Sequence, residues 1–124
     1  MALNQDVRRD LARAAHGQDF IADAPVCLVV SADPDAYAAK YSERGENLYC
    51  IQDTAAATQN ILLAATAFGL GSCWTGDFDE ETVRTAAGIP ADYWPLALVP
   101  IGYSDEEPSP GPMRPQEEVV RILQ

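Results

Sequence analysis

The sequence predicts an α/β domain in which helices cover a small sheet of three to four strands. Three observations carry this expectation. Residues 48–68 form a long stretch rich in Ala and Leu, free of Gly and Pro, and closed by Gly69 and Gly71. Two compact apolar runs flank it, Val26-Cys27-Leu28-Val29-Val30 and Leu96-Ala97-Leu98-Val99-Pro100-Ile101-Gly102-Tyr103. A short, continuous apolar run such as the first reads as a strand covered on both sides. Helical and strand patterns alternate along the chain, which selects an α/β layer.

Residues 4–15 place Val7, Leu11, Ala14 and Ala15 on one helical face, with Gly17 as the stop. Arg8, Arg9 and Arg13 line the other side and read as a solvated face. Phe20 and Ile21 form a small hydrophobic anchor before Ala24-Pro25 and the first strand. Residues 31–45, with Asp33-Pro34-Asp35, read as turn and loop containing a helical turn over 36–41. Asn47 is the expected N-cap of the long central helix, which at about 1.5 Å per residue would run roughly 30 Å. Its second half, Ile61-Leu62-Leu63-Ala64-Ala65, is apolar on nearly every face, as in a buried helix.

Gly69 and Gly71 end that helix in the conformation glycine tolerates best. Ser72-Cys73-Trp74-Thr75 then reads as a short strand. Asp77 and Glu80 fit a capping box ahead of a helix that Gly88 and Pro90 close. Pro100 removes a ladder donor, so the last strand is expected at an edge or with a bulge. Residues 104–115 are acidic and Pro-rich, an extended surface arm. Beyond them Val119, Val120, Ile122 and Leu123 need a covering partner. An open three-stranded sheet also has edges to protect, so a dimer is expected on physical grounds.

At 124 residues the chain is read as a single domain, 1–124, whose part 103–124 is the arm. With 48% hydrophobic residues it can build a core. Its net charge of −11, with eight Lys and Arg and no basic cluster, argues against nucleic acid as a partner. The polar N-terminus lacks the apolar run of a signal peptide, and no stretch is both long and uncharged enough to span a bilayer. A cytoplasmic protein without a membrane partner is expected.

Cys27, Cys50 and Cys73 form no C-x-x-C pair, so no metal site or redox motif is expected, and each reads as a small buried hydrophobe. The single histidine, His16, stands at a helix end, where histidine commonly caps. Neither G-x-G-x-x-G nor a Walker loop occurs. No side chain is expected to be catalytic, so a cofactor would have to carry any chemistry.

Several short patterns together resemble the FMN-dependent nitroreductase family. They are Gln18-x-Phe20-Ile21-x-x-Ala24-Pro25, then Asp53, Ala57, Gln59-Asn60 and Leu63-Ala64-Ala65, then Gly69-Leu70-Gly71-Ser72-Cys73-Trp74-Thr75-Gly76. Pro90, the strand 96–103, and Arg114 ahead of Glu117-Glu118-Val119-Val120 complete the set. The resemblance implies an α+β nitroreductase-like fold and a homodimer, joined through the central helix 48–69 and an exchanged C-terminal arm. It places FMN between the subunits, with the main chain of Trp74, Thr75 and Gly76 against the flavin ring and Arg114 at the phosphate. The implied activity passes hydride from NAD(P)H through FMN to a nitro, quinone or similar small-molecule acceptor.

Typical family members also carry an N-terminal portion with an Arg-Arg-Ser-x-Arg type motif, and a later Asn-x-Gln-Pro-Trp type segment. This sequence reads as a short, N-terminally truncated member that begins after both. Arg8-Arg9-x-x-x-Arg13 imitates the first motif, but Gln18 to Pro25 follow directly and assign it to a later helix. Two other readings stay open: a cofactor-poor dimeric scaffold, and a subunit whose partner chain completes the FMN site.

Overall fold

Helix α1 (Gln5–Ala14) begins where the Asn4 side chain accepts the Asp6 N–H at 2.8 Å. It ends where His16 and Gly17 turn to positive φ, 58° and 80°. The computed structural model describes residues 1–123; Gln124, the last residue of the expected arm, lies outside the described residues. Within α1, Arg9 and Arg13 pair with Asp6 and Asp10 on the solvated face. Arg8 does not join them. It is only 8% exposed, and its guanidinium donates to the Leu3 and Ala22 carbonyls, tying the N-terminus to α2 (Phe20–Asp23). Charge alone placed it in solvent, whereas two main-chain acceptors keep it inside.

Strand β1 (Val26–Ala32) leads directly into α3 (Pro34–Arg44), where the sequence reading expected mostly loop. The reason is local. Asp33 accepts the Ala36 N–H at 3.0 Å and Pro34 occupies the first helical turn, so a pair read as a turn signal starts a helix. A π-helical turn (Gly45–Tyr49) joins α3 to α4 (Cys50–Ala67), with one break at Ser42, φ 56° and ψ −151°. Asn47 therefore lies inside the helical run; its side-chain amide donates to the Glu43 carbonyl at 3.1 Å and does not cap α4.

The sheet has three strands in the order β1-β3-β2, all antiparallel, with β2 (Gly71–Ser72) and β3 (Trp94–Gly102). The expected strand over Ser72 to Thr75 is thus reduced to β2 and a single bridge from Thr75 to Leu98. β3 is central, not an edge, despite Pro100. Leu98 exchanges both backbone hydrogen bonds with Thr75 at 2.9 Å, so Pro100, two residues on, turns its nitrogen to the same side. The neighbouring chain keeps one register there, Gly71, Ser72 and Thr75 facing Gly102, Ile101 and Leu98, so Pro100 stands opposite Cys73 and the ladder is interrupted where its donor is missing. Opposite Pro100, Cys27 directs its own N–H and C=O outward to Ala2.

One face of the sheet carries the main core: Leu11, Ile21, Cys27, Val83 and Leu98 are fully buried beneath α1 and α5 (Glu80–Ala87). Ala97 and Val99, also fully buried, point to the opposite face, where α4 packs on the sheet. Strand β1 is only half-buried over most of its length, less covered than its apolar run predicted. The central helix departs further from expectation. In the single chain α4 buries only Cys50, Thr58 and Ala65, while Leu63 stays 59% exposed. One stripe of the helix faces the sheet, and among the described residues most of the rest of its circumference is left uncovered.

Residues 103–115 are extended and exposed, as expected of the arm, and the four-residue helix α6 (Gln116–Val119) is exposed too. No helix among the described residues is long and apolar enough to cross a membrane. Cys27 and Cys50 are buried but Cys73 is exposed, contrary to the reading of all three as core residues. Burial pushes the Cys27 thiol up to about 11, which keeps it protonated and inert at neutral pH. With a disulfide reagent at pH 8, Cys73 is expected to react fast and the other two only as the protein unfolds; three fast thiols would contradict this packing.

Candidate functional site

The sequence pattern singled out the turn after α4, and the structure shows how it is built. Phe68 closes the helix and Gly69 takes φ 71°. Gly69 N–H then bonds Thr66 O at 3.0 Å and Leu70 N–H bonds Ala65 O at 2.9 Å, the paired closure of a Schellman motif. Gly71 is needed for a different reason. A Cβ there would stand 2.7 Å from Ser104 Cβ, at the point where the arm leaves β3.

From Ser72 to Thr75 the chain runs beside β3 in one register, with the ladder interrupted opposite Pro100. Cys73, Trp74 and Gly76 are exposed, with Trp74 at 40%, and Thr75 between them is 4% exposed. Among the described residues no acceptor takes the N–H of Trp74 or Gly76. Gly76 also faces open space, since an added Cβ would find only Trp74 Nε1, at 3.9 Å. The Thr75 hydroxyl is buried without a hydrogen-bond partner. A buried, unpaired hydroxyl costs about 1–3 kcal/mol, so this position calls for an explanation.

The far side of this turn is fixed to α1. Asp79 N–H bonds Ala14 O at 2.9 Å, and His16 Nε2 lies 3.3 Å from Asp77 Oδ1. His16 thus braces the turn through an exposed pair with Asp77. The expected capping box on Asp77 is replaced by Asp79, which accepts from the Thr82 hydroxyl and, at 2.8 Å, from the Thr82 N–H. The repeated Asp at 77 and 79 offered two registers, and the packing of Asp79 against α1 selects the later one. Those two Thr82 bonds hold the Asp79 carboxyl below its ordinary 3.8. The cap is therefore complete above that pH and is lost as acid protonates Asp79. Asp79→Asn is expected to flatten the acid limb of the unfolding profile, checked by circular dichroism between about pH 2 and 5, the carboxylate range.

Of the sequence-predicted residues, Trp74, Thr75 and Gly76 share this one turn. Arg114 stands on the exposed arm, and no hydrogen bond or ion pair links it to the turn among the described residues. A groove lies elsewhere, between α1 and α5, lined by Asp10, Arg13, Glu81 and Thr82. It is shallow, and two of its charged walls neutralise each other through the Arg13–Asp10 pair. The turn with its orphan hydroxyl and free N–H groups is the better candidate. The hydroxyl was invisible to the sequence reading, because Thr75 carried no signal beyond its place in the glycine-rich run.

Comparison with known proteins identifies the class. Residues 1–103 match the sequence profile of the nitroreductase family. A protein of Methanocaldococcus jannaschii provisionally named a nitroreductase is 35% identical over 100 residues, covering 81% of this chain and 49% of the relative. One of Methanothermobacter thermautotrophicus, provisionally named an NADH dehydrogenase/NAD(P)H nitroreductase, is 36% identical over 93 residues, covering 72% of this chain and 45% of its own. Among solved structures, the NADPH:FMN oxidoreductase of Vibrio harveyi, complexed with NAD+, superposes with a TM-score of 0.84 at 26% identity, over 99% of this chain and 56% of that one. This chain belongs to the nitroreductase family. It has the family's α+β fold and spans about half the length of these relatives.

Proposed function

We propose that the chain supplies the flavin-ring side of an FMN site in a nitroreductase-type oxidoreductase that uses NAD(P)H. The observation that carries the proposal is the turn 73–76, with two unpaired N–H groups and the buried, partnerless Thr75 hydroxyl. These groups suit the polar edge of a flat heteroaromatic ring, and the open space at Gly76 lets the main chain come close. Bound at this turn, FMN would supply the hydride and electron-transfer chemistry between NAD(P)H and a nitro, quinone or similar acceptor. The chain's own part is to orient the ring and to offer fixed donors where negative charge develops. Arg114 is the residue proposed for the phosphate, and two copies would pair along α4 and exchange arms.

The exposed stripe of α4 and the uncovered Val119, Val120, Ile122 and Leu123 support that pairing. A second reading has one specific support: the charge balance. FMN brings about two negative charges to a chain of net −11, and the first turn of α5, beside the candidate turn, carries Glu80 and Glu81. In that reading a basic segment from another chain completes the phosphate site.

Titration with FMN tests the proposal: its fluorescence should be quenched at micromolar concentration, and an unchanged spectrum at saturating FMN would favour the scaffold reading. Thr75→Val sharpens the test, because the two readouts move in opposite directions. Removing an unpaired buried hydroxyl should leave the ligand-free protein as stable or about 1 kcal/mol more stable. It should weaken FMN about tenfold, the equivalent of one hydrogen bond. Equal affinity in both proteins would exclude the hydroxyl as a ring contact.

A further inference from the structure

We propose that the carboxylates flanking the turn 73–76 form an anion-excluding rim, so that the electron acceptor reduced there is an uncharged or cationic nitro or quinone compound. The inference rests on the flavin-ring reading proposed above and deepens it by naming the charge class of the acceptor. Among the described residues, the turn itself holds groups that lack a partner. They are the N–H of Trp74, the N–H of Gly76 and the hydroxyl of Thr75, a residue only 4% exposed. The carboxylates flank these groups and act on whatever approaches them.

Both flanks carry the same sign. Downstream, Asp77 adjoins Gly76 with its side chain 91% exposed, and Asp79, Glu80 and Glu81 follow. Upstream, Gly71 stands against Ser104, whose hydroxyl accepts the Glu106 N–H at 3.1 Å, so the acidic run Asp105-Glu106-Glu107 leaves from the same corner. Cations do not offset them. Arg84 pairs with Glu81 at 3.2 Å and otherwise donates to the Pro90 and Tyr93 carbonyls, while Arg13 is taken by Asp10. Asp77 has only His16, which is charged only when protonated. Asp79, Glu80 and the three carboxylates of the arm have no ion-pair partner among the described residues.

Like charges this close in the chain add. Each acts over about 8 Å at physiological salt and about 30 Å at 0.01 M, and a surface of one sign shifts the local concentration of ions by about tenfold or more. An uncharged ring feels none of this. FMN and the dinucleotide carry their phosphates on sugar chains that lead away from the reacting ring. A small anionic acceptor such as nitrobenzoate has no such spacer and would bring its carboxylate to the rim together with its nitro group. The discrimination therefore falls on the acceptor. Two electrons and two protons turn a nitro group into a nitroso group and water, or a quinone into its hydroquinone. NAD(P)H supplies them as a hydride, and solvent supplies the second proton.

Trp74 reports the potential at the turn directly. It is 40% exposed, and its Nε1 lies 3.9 Å from the position of a Cβ on Gly76. The measurement uses the full chain with Trp94→Phe, which leaves Trp74 as the sole indole. Three TEMPO nitroxides serve as quenchers; they share one ring and carry a trimethylammonium, a hydroxyl or a carboxylate. At about 0.01 M salt, quenching should fall in that order, about fivefold from cation to anion, and converge at about 0.5 M. Asp77→Asn with Glu80→Gln should roughly halve the spread. Glu43→Gln with Glu46→Gln, on α3 and the π-helical turn at the far end of α4, should leave it unchanged. With FMN bound, reoxidation of the reduced protein by 4-nitrobenzoate should quicken about fivefold over the same salt range, and reoxidation by its methyl ester should not change. Equal quenching by the three nitroxides, a spread that the distal pair moves as much, or a salt-independent rate with nitrobenzoate overturns the rim and leaves the flavin reading standing. A protein that takes up no FMN overturns that reading, and the acceptor assignment falls with it.

Discussion

Gly45→Ala is expected to lower the unfolding free energy by about 3 kcal/mol, an overpacking cost at the upper end of the usual range. Intrinsic propensity points the other way. Gly45 has helical dihedrals, φ −63° and ψ −51°, and alanine in a helix is favoured over glycine by about 1 kcal/mol. The packing outweighs it. The break at Ser42 folds the chain so that a Cβ on Gly45 would lie 2.3 Å from the Tyr37 carbonyl oxygen and 2.8 Å from Tyr41 Cβ. The nearest obstacle is main chain and cannot rotate aside. Urea unfolding followed by far-ultraviolet circular dichroism measures the effect, and a variant as stable as the parent would mean that α3 and the π-helical turn do not meet in this way.

Arg114→Ala is expected to weaken FMN by about 10- to 100-fold, the worth of a charge-assisted hydrogen bond to phosphate, and to leave riboflavin unaffected. The comparison isolates the phosphate, because the two ligands share the ring and the sugar-alcohol chain. Equal losses for both would place Arg114 in arm packing and return the phosphate to another group. Salt adds an independent check: an exposed Arg–phosphate contact weakens as ionic strength shortens the screening length, and ring contacts do not.

The elements that the sequence made legible are those specified by nearby residues. Asn4 and Gly17 bracket α1, Gly88 stops α5 at φ 64°, and Gly69 closes α4, each through a bond within a few positions. Helix α3 escaped because Asp33-Pro34 has the same composition whether it turns a loop or starts a helix, and only the side-chain bond to Ala36 decides. The exposure of α4 escaped for a different reason. An apolar residue such as Leu63 records that its surface wants cover, not whether the same chain provides it.

Pro100 shows what a residue rule foresees and what it does not, since the ladder is interrupted opposite it while β3 is central and not an edge. The candidate site was legible as a run of glycines around Trp74. The property that makes it a candidate, a hydroxyl buried without a partner, exists only once Thr75 is pinned to Leu98. Arg114 was legible only through family resemblance, and the folded chain leaves it on the arm.

The middle position of β3 has a consequence for biosynthesis. Both other strands hydrogen-bond to it and not to each other, and Val26 must wait for Ile101. A growing polypeptide therefore has no sheet for its earlier helices to dock on until β3 has been made. Such late, distant strand pairing folds slowly and keeps apolar surface open meanwhile. A stop codon anywhere before β3 would yield not a smaller domain but a chain whose β1 and β2 lack the strand both pair with.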